Sequence, residues 1–143
     1  MMQTKMMLNA SVEEIYQTLI ASVIGETKQA CGKDIIEKDL YEGVKYRHKV
    51  NLGKKIIDTT VHIRKPVENK NIHISISYPD KVIEMDYDMQ KNGDNKTLLT
   101  FTQTNSAEKK EPGYFEKFFF QRSIRSRFKK IEKYIIAQRK SQK

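Results

Sequence analysis

Apolar residues recur along this chain with two different periods, and the switch between them marks out its elements. Thr4, Met6 and Leu8 alternate with polar neighbours over Met2 to Asn9, which predicts a short first strand. Ser11-Val12-Glu13-Glu14 follows, with Ser and Glu three apart as in a capping box, so a helix is expected to start here. Val12, Ile15, Tyr16, Leu19, Ile20 and Val23 then repeat at steps of three and four, giving that helix one apolar stripe. Gly25 weakens it, Gly32 is the expected end of any continuation, and Asp34 to Tyr41 offers a further short helical turn.

From Gly43 the period becomes two. Val44, Tyr46, His48, Val50 and Leu52 alternate with Lys45, Arg47, Lys49 and Asn51, and Ile57, Thr59, Val61 and Ile63 continue on the next run. A two-residue Gly53-Lys54 turn with Gly first pairs Val50 with Ile57, His48 with Thr59, Tyr46 with Val61 and Val44 with Ile63. It also sets Lys49 opposite Asp58 on the other face. A slip of one residue would turn every apolar side chain to water, so turn chemistry and pattern must agree. They do.

The same reading carries Ile72, Ile74, Ile76 and Tyr78 onto the inner face, then a turn over Pro79 to Val82, then Ile83, Met85, Tyr87 and Met89. It places Ser75 beside Asp86 and His73 beside Asp88 on the outer face. Asn92-Gly93 marks a last hairpin into Leu99, Phe101 and Gln103 inside, with Thr100, Thr102 and Thr104 outside. Past a polar connection ending in Pro112-Gly113, Phe120, Ile124, Phe128, Ile131 and Ile135 fall within about 80° of arc on a long final helix. Phe115 and Phe119 point away from that stripe. The helix therefore bends or begins late, or these rings cover a pocket entrance or a homodimer contact.

The expected fold is α+β: a curved antiparallel sheet of about six strands, a short N-terminal helical segment, and a long C-terminal helix packed on the sheet. One domain over 1–143 accounts for the length of 143 residues and 38% hydrophobic content. The start has no basic cluster followed by an apolar stretch, no run reaches membrane-spanning length, and Cys31 is the single cysteine. A cytoplasmic protein without internal disulfides is the expectation. Net charge is +9, but nine Lys and Arg against Glu132 put +8 of it between Gln121 and Lys143. The basicity belongs to the last helix.

The segments LNASVEEIYQTLIAS, ACGKDI and FFFQRSIRSRFKKIEKYI, set in this element order, resemble the START-like (SRPBCC, helix-grip) superfamily. Within it they are similar to a small bacterial family catalogued as a domain of unknown function. The resemblance implies a sheet that holds the C-terminal helix and a small apolar or amphipathic ligand between them. It carries no functional residues over, and the superfamily includes cyclases, hydrolases and chaperone activators, so fold analogy alone does not assign an activity.

Tyr46, His48, Thr59, Tyr78, Tyr87 and Gln103 make the inner sheet face more polar than a plain core requires. Together with Phe101, Phe120, Ile124 and Phe128 they are the candidate ligand-binding residues. The bland alternative is a dry core in which the hydroxyls reach the rim and His48 bonds Thr59 or a backbone carbonyl. No nucleophile or carboxylate is expected beside His48, so an enzyme centred on it is the weaker reading and no catalytic residue is assigned. His62 and His73 are expected as outer-face neighbours with Asp88 close by, but Lys45 beside His62 opposes a metal ion. Glu84, Asp86 and Asp88 alternate along one strand as solvated acids. Cys31 is expected to be structurally buried, and no cofactor motif is present. The cations of the last helix supply a rival function, in which that helix binds nucleic acid, anionic lipid or a protein partner. The absence of paired aromatics on a strand face and the ordinary solvation of charged faces argue against nucleic acid.

Overall fold

The computed structural model describes residues 1–108, 110 and 112–141, with only the backbone of Leu52. The elements run β1 (Met2–Leu8), α1 (Val12–Cys31), α2 (Glu37–Tyr41), β2 (Val44–Leu52), β3 (Lys55–Ile63), β4 (Asn71–Ser77), β5 (Val82–Lys91), β6 (Thr97–Asn105) and α3 (Tyr114–Ser141). All six strands form one antiparallel sheet in the order β1-β6-β5-β4-β3-β2. The segment between β1 and β2 must therefore cross the sheet from one edge to the other. It does so as α1 and α2, and this crossing lays α1 over the inner face.

Local chemistry accounts for the ends of α1. The Glu14 amide donates to Ser11 Oγ at 3.2 Å and the Ser11 amide donates to Glu14 Oε1 at 3.0 Å, completing the capping box. The helix passes through Gly25 without a break and stops at Gly32, whose φ of +66° is the left-handed conformation that glycine adopts freely. Cys31, in the last turn, is half-buried rather than enclosed, because it sits where the helix leaves the core; its Sγ donates to the Thr27 carbonyl at 2.8 Å.

The β2–β3 ladder has the expected register, with His48 opposite Thr59, Tyr46 opposite Val61 and Lys49 opposite Asp58. In the β4–β5 ladder the register lies two residues from the expected one. Ser75 faces Glu84, His73 faces Asp86, and Asp88 faces Asn71. The reason is the turn: the Tyr78 amide donates to the Lys81 carbonyl at 2.8 Å, so Pro79 and Asp80 alone form the loop and Val82 already belongs to β5.

The core lies between the inner sheet face and the two long helices. Leu8, Ile63, Ile72, Leu99 and Phe101 from the sheet meet Ile15, Tyr16 and Ile20 of α1 and Ile124, Phe128 and Ile135 of α3. Tyr16 and Tyr41 join α1 to α2 through a 2.5 Å hydrogen bond between their hydroxyls. α3 begins at Tyr114, so the helix does not start late, and it packs on β1 and α1.

Two carboxylates at the start of α1 and on α3 hold the helices together. Glu132, the acid of the basic segment, accepts from the Asn9 amide at 2.7 Å, and Arg139 grips both oxygens of Glu14, with Nε to Oε2 at 2.6 Å. The Arg139 hydrogen bond, aided by Ser11 and opposed by burial, brings the Glu14 pKa from 4.5 to about 2. A depressed carboxylate stabilises the fold above its ordinary pKa and loses that contribution as pH falls toward the folded value. Arg139→Met should therefore cost about 1 kcal/mol at neutral pH, the scale of a partly solvent-screened bidentate pair. The difference from the parent should vanish between pH 4.5 and about 2, as read by urea denaturation across that range. An undiminished difference at the acid end would contradict the pairing.

Thr4 supplies a second test. Among the described residues its Oγ1 is the buried side-chain polar atom with no hydrogen-bond partner, on a strand position opposite Phe101. Thr4→Val keeps the shape and removes the unpaired hydroxyl, so denaturation should show about 1 kcal/mol of added stability. A loss of stability would indicate that the hydroxyl is satisfied.

Candidate functional site

The inner face of the sheet is filled unevenly. Ile72 and Phe101 are at most 1% exposed, whereas Ile74, Ile76, Met85, Tyr46 and Tyr87, which also point inward, are only partly covered. These five lie on β2, β4 and β5, away from the β1 edge where α3 rests. Above them the helices part.

The gap is a solvent-open cleft of about 710 Å³, large enough for a ligand of drug or fatty-acid size. Its floor is Ile72, Ile74, Met85 and Tyr87. Leu19, Ala21, Ser22 and Val23 of α1 form one wall, and Phe128, Ile131 and Tyr134 of α3 form the other. Charged groups stand at its edge: Arg127 and Lys130 from α3, and Glu26 from α1. Among the described residues neither Arg127 nor Lys130 has a carboxylate within ion-pair distance. The Tyr87 phenol is raised above its ordinary pKa, first by burial, with Arg127 pulling the other way, so at neutral pH it is a hydroxyl donor beside a cation.

A second cleft of about 450 Å³ lies beyond Val23 and Glu26, between the C-terminal half of α1 and strands β2 to β5. Tyr46, His48, Val61 and Ile76 line it, and it shares Ile74 and Met85 with the first. Burial raises the Tyr46 pKa, with the Thr27 hydroxyl opposing. Glu26 of α1 lines the same cleft as His48.

The expected site residues divide accordingly. Tyr87 and Phe128 line the larger cleft, and Tyr46 and His48 line the smaller. Thr59 is buried beneath, its hydroxyl donating to the His48 carbonyl at 2.7 Å. Phe101 is a buried support, with ring centroids 4.8 Å from Tyr87 and 5.8 Å from Phe120. Ile124 is buried in the α3 stripe, and Phe120 lines a small recess with Met2 and Gln3 instead. Gln103 pairs with Met2 and Met85 in the ladders and lines neither cleft. Tyr78 lies at the β4–β5 turn, where Lys81 stands 5.1 Å over its ring. The α1 wall was not among the expected residues. Its signal was available in small, weakly polar Ala21 and Ser22 beside the apolar stripe.

On the outer face His62 stands opposite Ser75 rather than His73, because the β3–β4 ladder places His73 beside Arg64. His73 contacts Asp86 at 3.1 Å and Glu84 at 3.4 Å, and Glu84 also pairs with Arg64 at 3.2 Å. These acids are therefore cross-strand partners, and Asp88 stands apart from His73 because of the two-residue register difference. Among the described residues no three His, Cys, Asp or Glu form a metal-holding group. Among them, too, no helix is long and apolar enough to cross a membrane.

The fold has many relatives of known structure at low identity. A START superfamily protein from Mycobacterium smegmatis is similar with a TM-score of 0.55 and 16% identity, over 95% of this chain and 97% of that one. A conserved protein from Geobacillus kaustophilus gives 0.58 and 20%, over 94% of each chain. Ara h 8.0201 gives 0.60 and 10%, over 94% of this chain and 96% of that one. These likenesses establish a START-like, helix-grip fold. Among curated proteins no sequence match is found. The family described as "Domain of unknown function (DUF3284)" is matched over residues 2–121. The match ends near the start of α3, so most of the basic segment lies outside it.

Proposed function

For a chain that belongs to the DUF3284 family of START-like domains, we propose that the cleft between α1, α3 and the sheet binds one small apolar or amphipathic molecule. The observation that carries this reading is the set of inward-facing Ile74, Met85 and Tyr87 left only partly covered beneath a gap of about 710 Å³. Leaving apolar side chains half-covered forgoes roughly 25 cal/mol for each Å² that stays wet. A ligand that covers them recovers this term. The helices part here because each is held elsewhere, α3 by Asn9 and Glu14, and α1 by Tyr41.

The walls and floor favour a long or ring-shaped hydrocarbon body. At the mouth, two cations and one carboxylate favour a negative or strongly accepting head group, which Arg127, Lys130 and the Tyr87 hydroxyl would contact. The reading is of a binding domain, with the smaller cleft around Tyr46 and His48 as an extension of the same site through the shared Ile74 and Met85.

Isothermal titration with dodecanoate tests it. The expected result is one site per chain with affinity of micromolar order, reasonable for a ligand of that size, and weaker binding of dodecylammonium. Ala21→Trp places an indole into the cleft from an exposed position of α1, and should lower the affinity about tenfold or more without changing the melting temperature. No binding of dodecanoate, or binding indifferent to Ala21→Trp, would overturn the assignment.

A further inference from the structure

The outward face of α3 carries an arrangement that the cleft does not use. At 100° per residue, positions opposite the buried stripe run along the helix as an aromatic block followed by a row of cations. Phe115, Phe118 and Phe119 come first, 72%, 47% and 62% exposed, with Tyr114 beside them at 79%. Arg122, Arg125, Lys129, Lys133 and Lys140 follow, all exposed. Phe115, Phe118, Phe119 and these five cations fall inside about 120° of arc that contains no acidic residue. The acids of α3, Glu116 and Glu132, lie outside it, and Glu132 is bonded to the Asn9 amide. Among the described residues none of these five cations has an ion-pair partner.

We propose that this face of α3 docks on an anionic lipid surface, with the phenylalanine block entering the boundary between headgroups and acyl chains and the cation row lying over the phosphates. Two observations favour a membrane over a nucleic acid. The rings pack edge to face in pairs, Tyr114 with Phe115 at 77° and Phe118 with Phe119 at 73°, each with centroids 5.7 Å apart. They form an apolar knob, whereas single-stranded nucleic acid needs open ring faces on which bases stack. The cation row is also straight and convex, spread over roughly 27 Å of one helix, which suits a plane of charge and offers no groove for a strand. Exposed rings that can enter the headgroup region and cations attracted to anionic headgroups each contribute to holding such a face on a lipid surface.

Docking in this way has a geometric consequence for the cleft. Its mouth runs along one flank of the same helix, lined by Arg127, Lys130 and Tyr134. A molecule leaving the lipid surface would meet that opening directly. The docking claim itself does not require the cleft to be filled.

Co-sedimentation of the full chain with vesicles of phosphatidylcholine alone, or with added phosphatidylglycerol, tests the proposal. Binding should require the anionic lipid and weaken as salt is raised. Each cation near such a surface is worth about fivefold in affinity, so the triple variant Arg125→Gln, Lys129→Gln, Lys133→Gln should bind about a hundredfold more weakly. Phe118→Ser with Phe119→Ser should bind anionic vesicles at least about tenfold more weakly while leaving salt dependence in place. All five positions are exposed, and unchanged melting temperatures would show both variants folded. Equal binding to neutral vesicles, binding to neither, or variants that bind like the parent would overturn the proposal. So would a preference for single-stranded RNA at the same salt, or a dimer in ultracentrifugation that the Phe variant abolishes.

Discussion

Six strands, each taking about 4.8 Å of width, make a sheet roughly 29 Å across, and two helices about 10–12 Å in diameter cover only about 20–24 Å of one face. The rest of the architecture follows from that mismatch. The period-two pattern gives every strand an apolar inner face, so the sheet demands cover along its whole width. α1 meets part of this demand because the chain must cross from β1 at one edge to β2 at the other. α3 meets another part at the β1 side. What remains, over β4 and β5, is the cleft.

The width of that cleft is maintained by polar contacts at one end of the helices. Glu132 on the Asn9 amide and Arg139 on Glu14 hold α3 at the β1–α1 junction, where it cannot slide inward to cover Ile74 and Met85. This divides the charge of the last helix by role. Glu132 and Arg139 face the fold and are paired. Arg127 and Lys130 stand at the cleft, and the remaining cations face outward with the phenylalanine block. A basic segment that looks uniform along the chain becomes three surfaces once it is wound on a helix.

Much of this was legible in the sequence where local chemistry is decisive. Ser11 and Glu14 announce the start of α1, and Gly53 sets the β2–β3 register through a turn with φ of +66°. The β4–β5 register was not legible for a definite reason. A slip of one residue exchanges the faces and is visible in the pattern, but a slip of two preserves every inward and outward assignment. Only the Tyr78–Lys81 hydrogen bond chooses between the alternatives. The site was legible as a face but not as a volume. Alternation identified Tyr46, His48 and Tyr87 as inward, yet whether such a residue is buried, as Thr59 and Phe101 are, or lines open space depends on where the helices stand. Gln103 and Tyr78 share the inner phase but line neither cleft.

The central claim is that the partly covered patch of Ile74, Met85 and Tyr87 is a ligand floor. Methyl NMR of the isoleucines during a dodecanoate titration reads that patch directly. Saturable shifts should appear at Ile72, Ile74 and Ile131, which line the cleft, and not at Ile15 in the closed core or Ile56 on the exposed hairpin. Shifts absent from the three cleft isoleucines, or spread equally over Ile56 and Ile15, would contradict it.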